Sequence, residues 1–243
     1  NDNFYELLRT RFESYLDNTF LAAQDGRTIT YKKIDNRSAQ FAGALRNAGA
    51  MPGDRIVVQV EKSTDNVALY LGAMRAGLVY VPLNTAYTVD EVSYFLTDAR
   101  PSVFVCAPEK YQQLAPVASK ANSLKIFTLG VAGDGDLATM ADGAEQIQKV
   151  QPRHQDDLAS ILYTSGTTGR SKGAMLTHGN LTTNALALNK LWGINNEDTL
   201  IHALPIFHIH GLFVALHTMM LSAGRILFHS KFDVGAVRRA LPS

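Results

Sequence analysis

Apolar and polar positions alternate along the chain in two rhythms, and the rhythms divide it into short helices and strands. Over 4–16, Phe4, Leu7, Leu8, Phe12 and Leu16 recur at close to helical spacing. Residues 19–23 and 28–31 flank Asp25-Gly26, a pair that tolerates positive φ, and predict a hairpin. A helix is expected over 33–47 with Gly49 as its stop, then a strand over 55–60 and a small-residue helix over 66–76 closed by Gly77. The apolar run 79–83 suits a buried strand. Thr88 and Glu91 stand three apart as a capping box, whose hydroxyl and carboxylate satisfy free backbone donors reciprocally and open the next helix. A strand over 102–106, a helix from Pro108 and a strand over 125–129 complete the series.

Between 130 and 152 the rhythm fades, and the segment is expected to be a surface connection. It returns as strand 158–163, helix 180–191, strand 199–204, helix 210–221 and strand 225–228. Strands alternating with helices predict βαβ units, hence an α/β fold with a mostly parallel sheet and helices on both faces. The most apolar stretch, 212–221, is interrupted by His217 and is shorter than the roughly 20 residues that span a bilayer. No basic segment followed by an apolar core marks a signal peptide at the start.

Composition narrows the function classes. Lys and Arg number 23 against 22 Asp and Glu, so no basic excess points to nucleic acid or a membrane surface as a partner. One cysteine, Cys106, cannot form an internal disulfide, which suits a reducing, cytoplasmic setting. The length of 243 residues corresponds to about one and a half ordinary domains.

The chemistry concentrates at 164–173, where every residue is Gly, Ser, Thr, Lys or Arg. Glycines let the backbone curl close to a ligand, amides and hydroxyls donate, and Arg170 and Lys172 supply charge. The loop follows an apolar strand, at the end where open α/β sheets place ligands. Phosphate oxygens fit such a cradle. A Walker A loop does not: counting from Gly166, its second glycine falls on Ser171, and Lys172 is followed by Gly173 rather than Ser or Thr.

This stretch, Tyr163 through Gly173 and on to Thr177-His178, resembles the signature loop of the adenylate-forming acyl-CoA synthetases and their relatives. The chain departs from that pattern at Ser171, where the family usually carries proline. A second string, Leu204-Pro205-Ile206-Phe207-His208-Ile209-His210-Gly211-Leu212, is similar to the family's aromatic-histidine segment beside the acyl pocket. Strings at 28–31, 53–56 and 77–84 also look like the family's. Within the family, 204–216 resembles most the malonyl-CoA synthetases.

The resemblance implies an enzyme that joins a carboxylate to MgATP as an acyl-adenylate and then passes the acyl group to coenzyme A. It implies that Thr164, Ser165, Gly166, Thr167, Thr168, Gly169 and Lys172 hold the ATP phosphates, with Lys172 as the charged group. It places His208 between acyl group and nucleotide, and Gly211 in the wall of the substrate pocket. A zinc reading of His208 and His210 is weak, because no Asp, Glu or Cys accompanies them. A dicarboxylate such as malonate needs a second cation, yet none of Arg225, Arg238 and Arg239 sits in a motif that marks it as the clamp. The family's later motifs, including the main Mg2+ ligand and the small C-terminal domain with its lysine, find no match. The chain is therefore expected to be the first part of the large, AMP-binding domain (residues 1–243), inactive alone and prone to self-association through an apolar face. The alternatives are another acyl- or aryl-CoA ligase of the family, or a non-catalytic nucleotide-binding module.

Overall fold

The computed structural model describes residues 1–120, 124–164 and 171–241. Helix α1 (Phe4–Phe12) starts at Asn3, whose side chain accepts from the Tyr5 amide, and runs into a tighter turn at Glu13–Tyr15. Strands β1 (Thr19–Ala23) and β2 (Thr28–Thr30) pair antiparallel around Gly26 at φ +85°, the hairpin expected from Asp25-Gly26. Next come α2 (Tyr31–Asn47), β3 (Arg55–Gln59), α3 (Thr64–Arg75) and β4 (Val79–Pro82). Helix α4 (Val89–Ala99) carries the Thr88–Glu91 capping box in full. Strand β5 (Val103–Cys106), helix α5 (Tyr111–Ala118) and β6 (Lys125–Thr128) follow.

The segment 130–152 is more than a connection. It contains helix α6 (Asp136–Gly143), which buries Leu137, Ala138 and Ala141. Strand β7 (Leu158–Thr164) is followed by a strand the apolar pattern does not reveal, β8 (Lys172–Thr177), and by α7 (His178–Trp192). Strand β9 (Thr199–His202) leads to a π-helical stretch at His210–Leu216, continued by α8 (His217–Leu221). Strand β10 (Arg225–Phe228) lies where the pattern predicts it, and α9 (Val234–Ala240) closes the described chain.

The α/β, mostly parallel architecture is what the alternation predicts, with the strands divided between two sheets. Six strands form one sheet in the order β6-β5-β3-β4-β7-β8, and four form another in the order β2-β1-β10-β9. Among the described residues, only the β1–β2 and β7–β8 pairs are antiparallel. Successive residues of β3 face opposite ways: Ile56 and Val58 join the core of α1, α2 and α3, while Val57 packs with Val81, Phe104 and Cys106 under α4 and α5. Both faces of the six-stranded sheet are thus covered by helices. The first core also takes in Phe20, Leu21, Ile226 and Phe228, so it joins the two sheets. Among the described residues no helix is long and apolar enough to cross a membrane.

Candidate ATP and acyl site

The β7–β8 hairpin builds the mouth of the Gly/Ser/Thr loop. Thr164 and Lys172 face each other on its outermost rung, both exposed. Ser165, Gly166, Thr167, Thr168 and Gly169 lie outside the described residues. Two side chains one helical turn apart on α4 hold the two feet of the loop. The Tyr163 hydroxyl donates to Asp98 Oδ2 at 2.6 Å, and the Tyr94 hydroxyl donates to the Ser171 carbonyl at 2.9 Å. Partial burial and the adjacent Asp98 carboxylate raise the Tyr163 pKa, so its hydroxyl stays a donor. The Tyr163 ring packs on Phe95 with centroids 4.4 Å apart. Across the ladder its register partner is Gly173, where a Cβ would come 2.8 Å from Ile161 Cγ2. The bare backbone at Gly173 therefore lets the hairpin close over that side chain.

Behind the hairpin, Thr177 caps α7 in a second capping box with Asn180. His178, the last residue of the signature, is fully buried, and its Nδ1 accepts the Phe4 amide at 3.1 Å. Burial, aided by nearby Arg153, pushes its pKa down to about 4. His178 is thus a neutral acceptor that ties the start of α7 to the start of α1.

The second motif sits in the β9–α8 connection. His208 is exposed, its ring 4.6 Å from that of Phe207, and its carbonyl accepts the Leu212 amide. Gly211 is buried, and a Cβ there would collide with the Pro205 carbonyl oxygen. Its own carbonyl lies 2.8 Å from His202 Nε2. The structure therefore pairs Thr164 with Lys172 and places His208 near Gly211. Among the described residues no hydrogen bond, ion pair or ring contact links the two groups. Arg225, Arg238 and Arg239 are exposed. No group of three or more His, Cys, Asp or Glu among the described residues could hold a metal ion.

Sequence reasoning missed the two loop holders, Tyr94 and Asp98. Their i,i+4 spacing behind the capping box was the only local sign, and it does not say what they hold. His202 and His217 are both buried. His202 Nδ1 lies 2.8 Å from Lys62 Nζ, and His217 Nε2 lies 2.8 Å from the Tyr70 hydroxyl. Burial, with the Lys62 charge beside His202, lowers their pKa values to about 4 and about 3.

These three histidines fix an acid limit. The unfolded chain takes up a proton on each near pH 6.5, whereas the fold resists until about 4, 4 and 3. The stability these histidines contribute is therefore full above pH 6.5 and falls as the pH drops below it, by about 1.4 kcal/mol per pH unit for each such histidine until its folded-state value is reached. Urea unfolding at pH 7 and pH 5 is expected to show a loss of at least about 3 kcal/mol. Equal midpoints and slopes at the two values would contradict the neutral assignment.

The AMP-binding enzyme family matches residues 8–241, and the chain belongs to that family. The acid–CoA ligases among its members include a feruloyl-CoA synthase from Amycolatopsis sp, 34% identical over 216 residues, 89% of this chain and 42% of that protein. A malonate–CoA ligase from Arabidopsis thaliana is 28% identical over 79% of this chain and 32% of its own length. Among solved structures, ATP-bound MatB from Rhodopseudomonas palustris superposes with a TM-score of 0.94 at 43% identity, covering 98% of this chain and 47% of that one. The chain spans less than half the length of each of these relatives.

Proposed function

We propose that this chain is the first part of the AMP-binding domain of an ATP-dependent acid–thiol ligase, with a small carboxylate, malonate foremost, as the acid. The observation that carries the reading is the β7–β8 rung, which sets Thr164 opposite Lys172 at the two ends of a nine-residue run of Gly, Ser, Thr, Lys and Arg. Thr164, Ser165, Gly166, Thr167, Thr168, Gly169 and Lys172 hold the β- and γ-phosphates. As the acid carboxylate attacks the α-phosphorus, charge gathers on the departing pyrophosphate, and fixed donors with a lysine stabilise it in place. His208 borders the passage from nucleotide to acid, and the close approach of Gly211 to Pro205 holds that turn. The coenzyme A thiol then attacks the acyl carbon of the adenylate, forming the thioester and releasing AMP. Mg2+ accompanies ATP in this chemistry, and the described residues offer no ligand set for it.

Malonate is supported by the likeness of 204–216 to malonyl-CoA synthetases and by the family's malonate–CoA ligase. An aryl acid is the second reading, supported by the 34% identity to a feruloyl-CoA synthase. Pyrophosphate release by the whole protein, measured over a panel of mono- and dicarboxylic acids, separates the two. Highest kcat/KM with malonate supports the first reading, and highest with an aromatic acid supports the second. No release with any acid, together with calorimetric ATP binding, would leave a nucleotide-binding module instead.

A further inference from the structure

Lys62 lies in the loop after β3, in the string Val60-Glu61-Lys62-Ser63, and nothing local distinguishes it from a surface charge. It is nevertheless 9% exposed. Its amine reaches three acceptors on one segment: His202 Nδ1 at 2.8 Å, the His202 carbonyl at 2.9 Å and the Leu204 carbonyl at 2.9 Å. The nitrogen also stands 4.4 Å from the Phe228 ring centroid, over its face. Among the described residues no carboxylate forms an ion pair with it.

The proton count follows from these partners. An ammonium has three hydrogens, and here it has three acceptors. With His202 Nδ1 accepting from Lys62, the neutral ring carries its proton on Nε2 and donates it to the Gly211 carbonyl at 2.8 Å. A neutral amine has two hydrogens and a lone pair. The donor that can meet that lone pair is an Nδ1–H on His202, and moving the proton there leaves Nε2 facing the Gly211 oxygen with nothing to donate.

We infer that Lys62 is a positioning residue for the acyl-side turn: its ammonium selects the His202 tautomer that holds Gly211, and losing the charge releases that hold. The inference rests on the reading of 204–211 as pocket wall. Burial brings the Lys62 pKa down to about 7, so the change falls within the working range of a cytoplasmic enzyme. The titratable groups around it are His202 on β9, His229 just after β10, Glu61 in its own loop, and Asp25 with Arg27 in the β1–β2 turn. Asp25 and Arg27 line a cavity of about 200 Å³ with Lys62 and pair with each other at 2.7 Å.

Imidazole 15N spectra of the 243-residue chain test this directly, with His202 assigned by its loss in His202→Gln. In the wild-type chain, Nε2–H is expected below pH 6.5, with Nδ1–H growing in as the pH rises through about 7. Lys62→Arg, whose charge persists, is expected to hold Nε2–H up to pH 9. A His202 tautomer that stays fixed in the wild-type chain from pH 6 to 9, or changes equally in Lys62→Arg, overturns the inference. In the whole ligase, KM for the acid should rise about tenfold from pH 6.5 to 8.5 with ATP KM steady, and Lys62→Arg should flatten that rise. Equal KM profiles in both proteins would overturn the positioning role. If no acid releases pyrophosphate, the functional reading fails while the spectra still decide the tautomer.

Discussion

On the proposed function, Lys172→Ala is expected to slow pyrophosphate release by the whole protein by about 10²–10³-fold, the scale of removing one fixed donor from a developing negative charge. The side chain is exposed at the first position of β8, and none of the ion pairs among the described residues uses it. Its truncation should therefore change stability by no more than about 0.5 kcal/mol. That contrast makes the experiment clean, because urea midpoints and turnover respond to different things. Lys172→Arg should recover part of the rate, since it restores charge but replaces a compact ammonium with a planar fork. Turnover within about threefold of wild type in Lys172→Ala would remove the lysine from the phosphate site.

The largest expected effect on folding comes from Arg75→Ala, a loss of about 3–5 kcal/mol in chemical denaturation. Arg75 is fully buried. Its guanidinium pairs with Asp35, reaches Ser38 Oγ at 3.2 Å and Tyr5 Oη at 3.3 Å, and donates to the Ile147 and Gln148 carbonyls at 3.1 and 2.6 Å. Asp35 is also met by Arg9 at 3.2 Å and by the Tyr5 hydroxyl at 2.7 Å. Removing the guanidinium takes donors from the Asp35 carboxylate and from the Asp35, Ile147 and Gln148 carbonyls, and this exceeds the value of any single contact. Arg75→Lys should fall between, because one ammonium cannot serve so many acceptors. The damage reaches the site through α1, whose first amide is held by His178 at the end of the signature. A Tyr5→Phe variant should lose far less, about 1 kcal/mol, and parity of the two variants would contradict this account.

What was legible in the sequence was what neighbours decide. The Asp25-Gly26 hairpin, the Thr88–Glu91 box and the stop at Gly49 (φ +86°) all depend on residues within a few positions. The strand at Arg225–Phe228 lies where the apolar pattern predicts it. The outer strand β8 was not legible, because as an edge it is half-exposed and Met175 points to solvent at 66% exposure, so no alternation shows. Helix α6 hid in a polar tract because three small or apolar residues suffice to dock eight. In the site, Thr164 and Lys172 were visible from composition. Tyr94, Asp98, Lys62 and His202 were not, because each acquires its role from a partner far along the chain.

The parallel pairing of β1 with β10 sets an order of events during synthesis. Leu21 finds its register partner in Ile226, so the first hairpin emerges from the ribosome long before the strand that completes its sheet. The six-stranded sheet has no such delay, since β3 through β8 lie between. The hairpin's open edge must therefore wait, shielded only by its own turn and by whatever chaperone meets the nascent chain. Slow-translating codons anywhere between β2 and β10 would lengthen that exposure, and the yield of folded protein should fall with them.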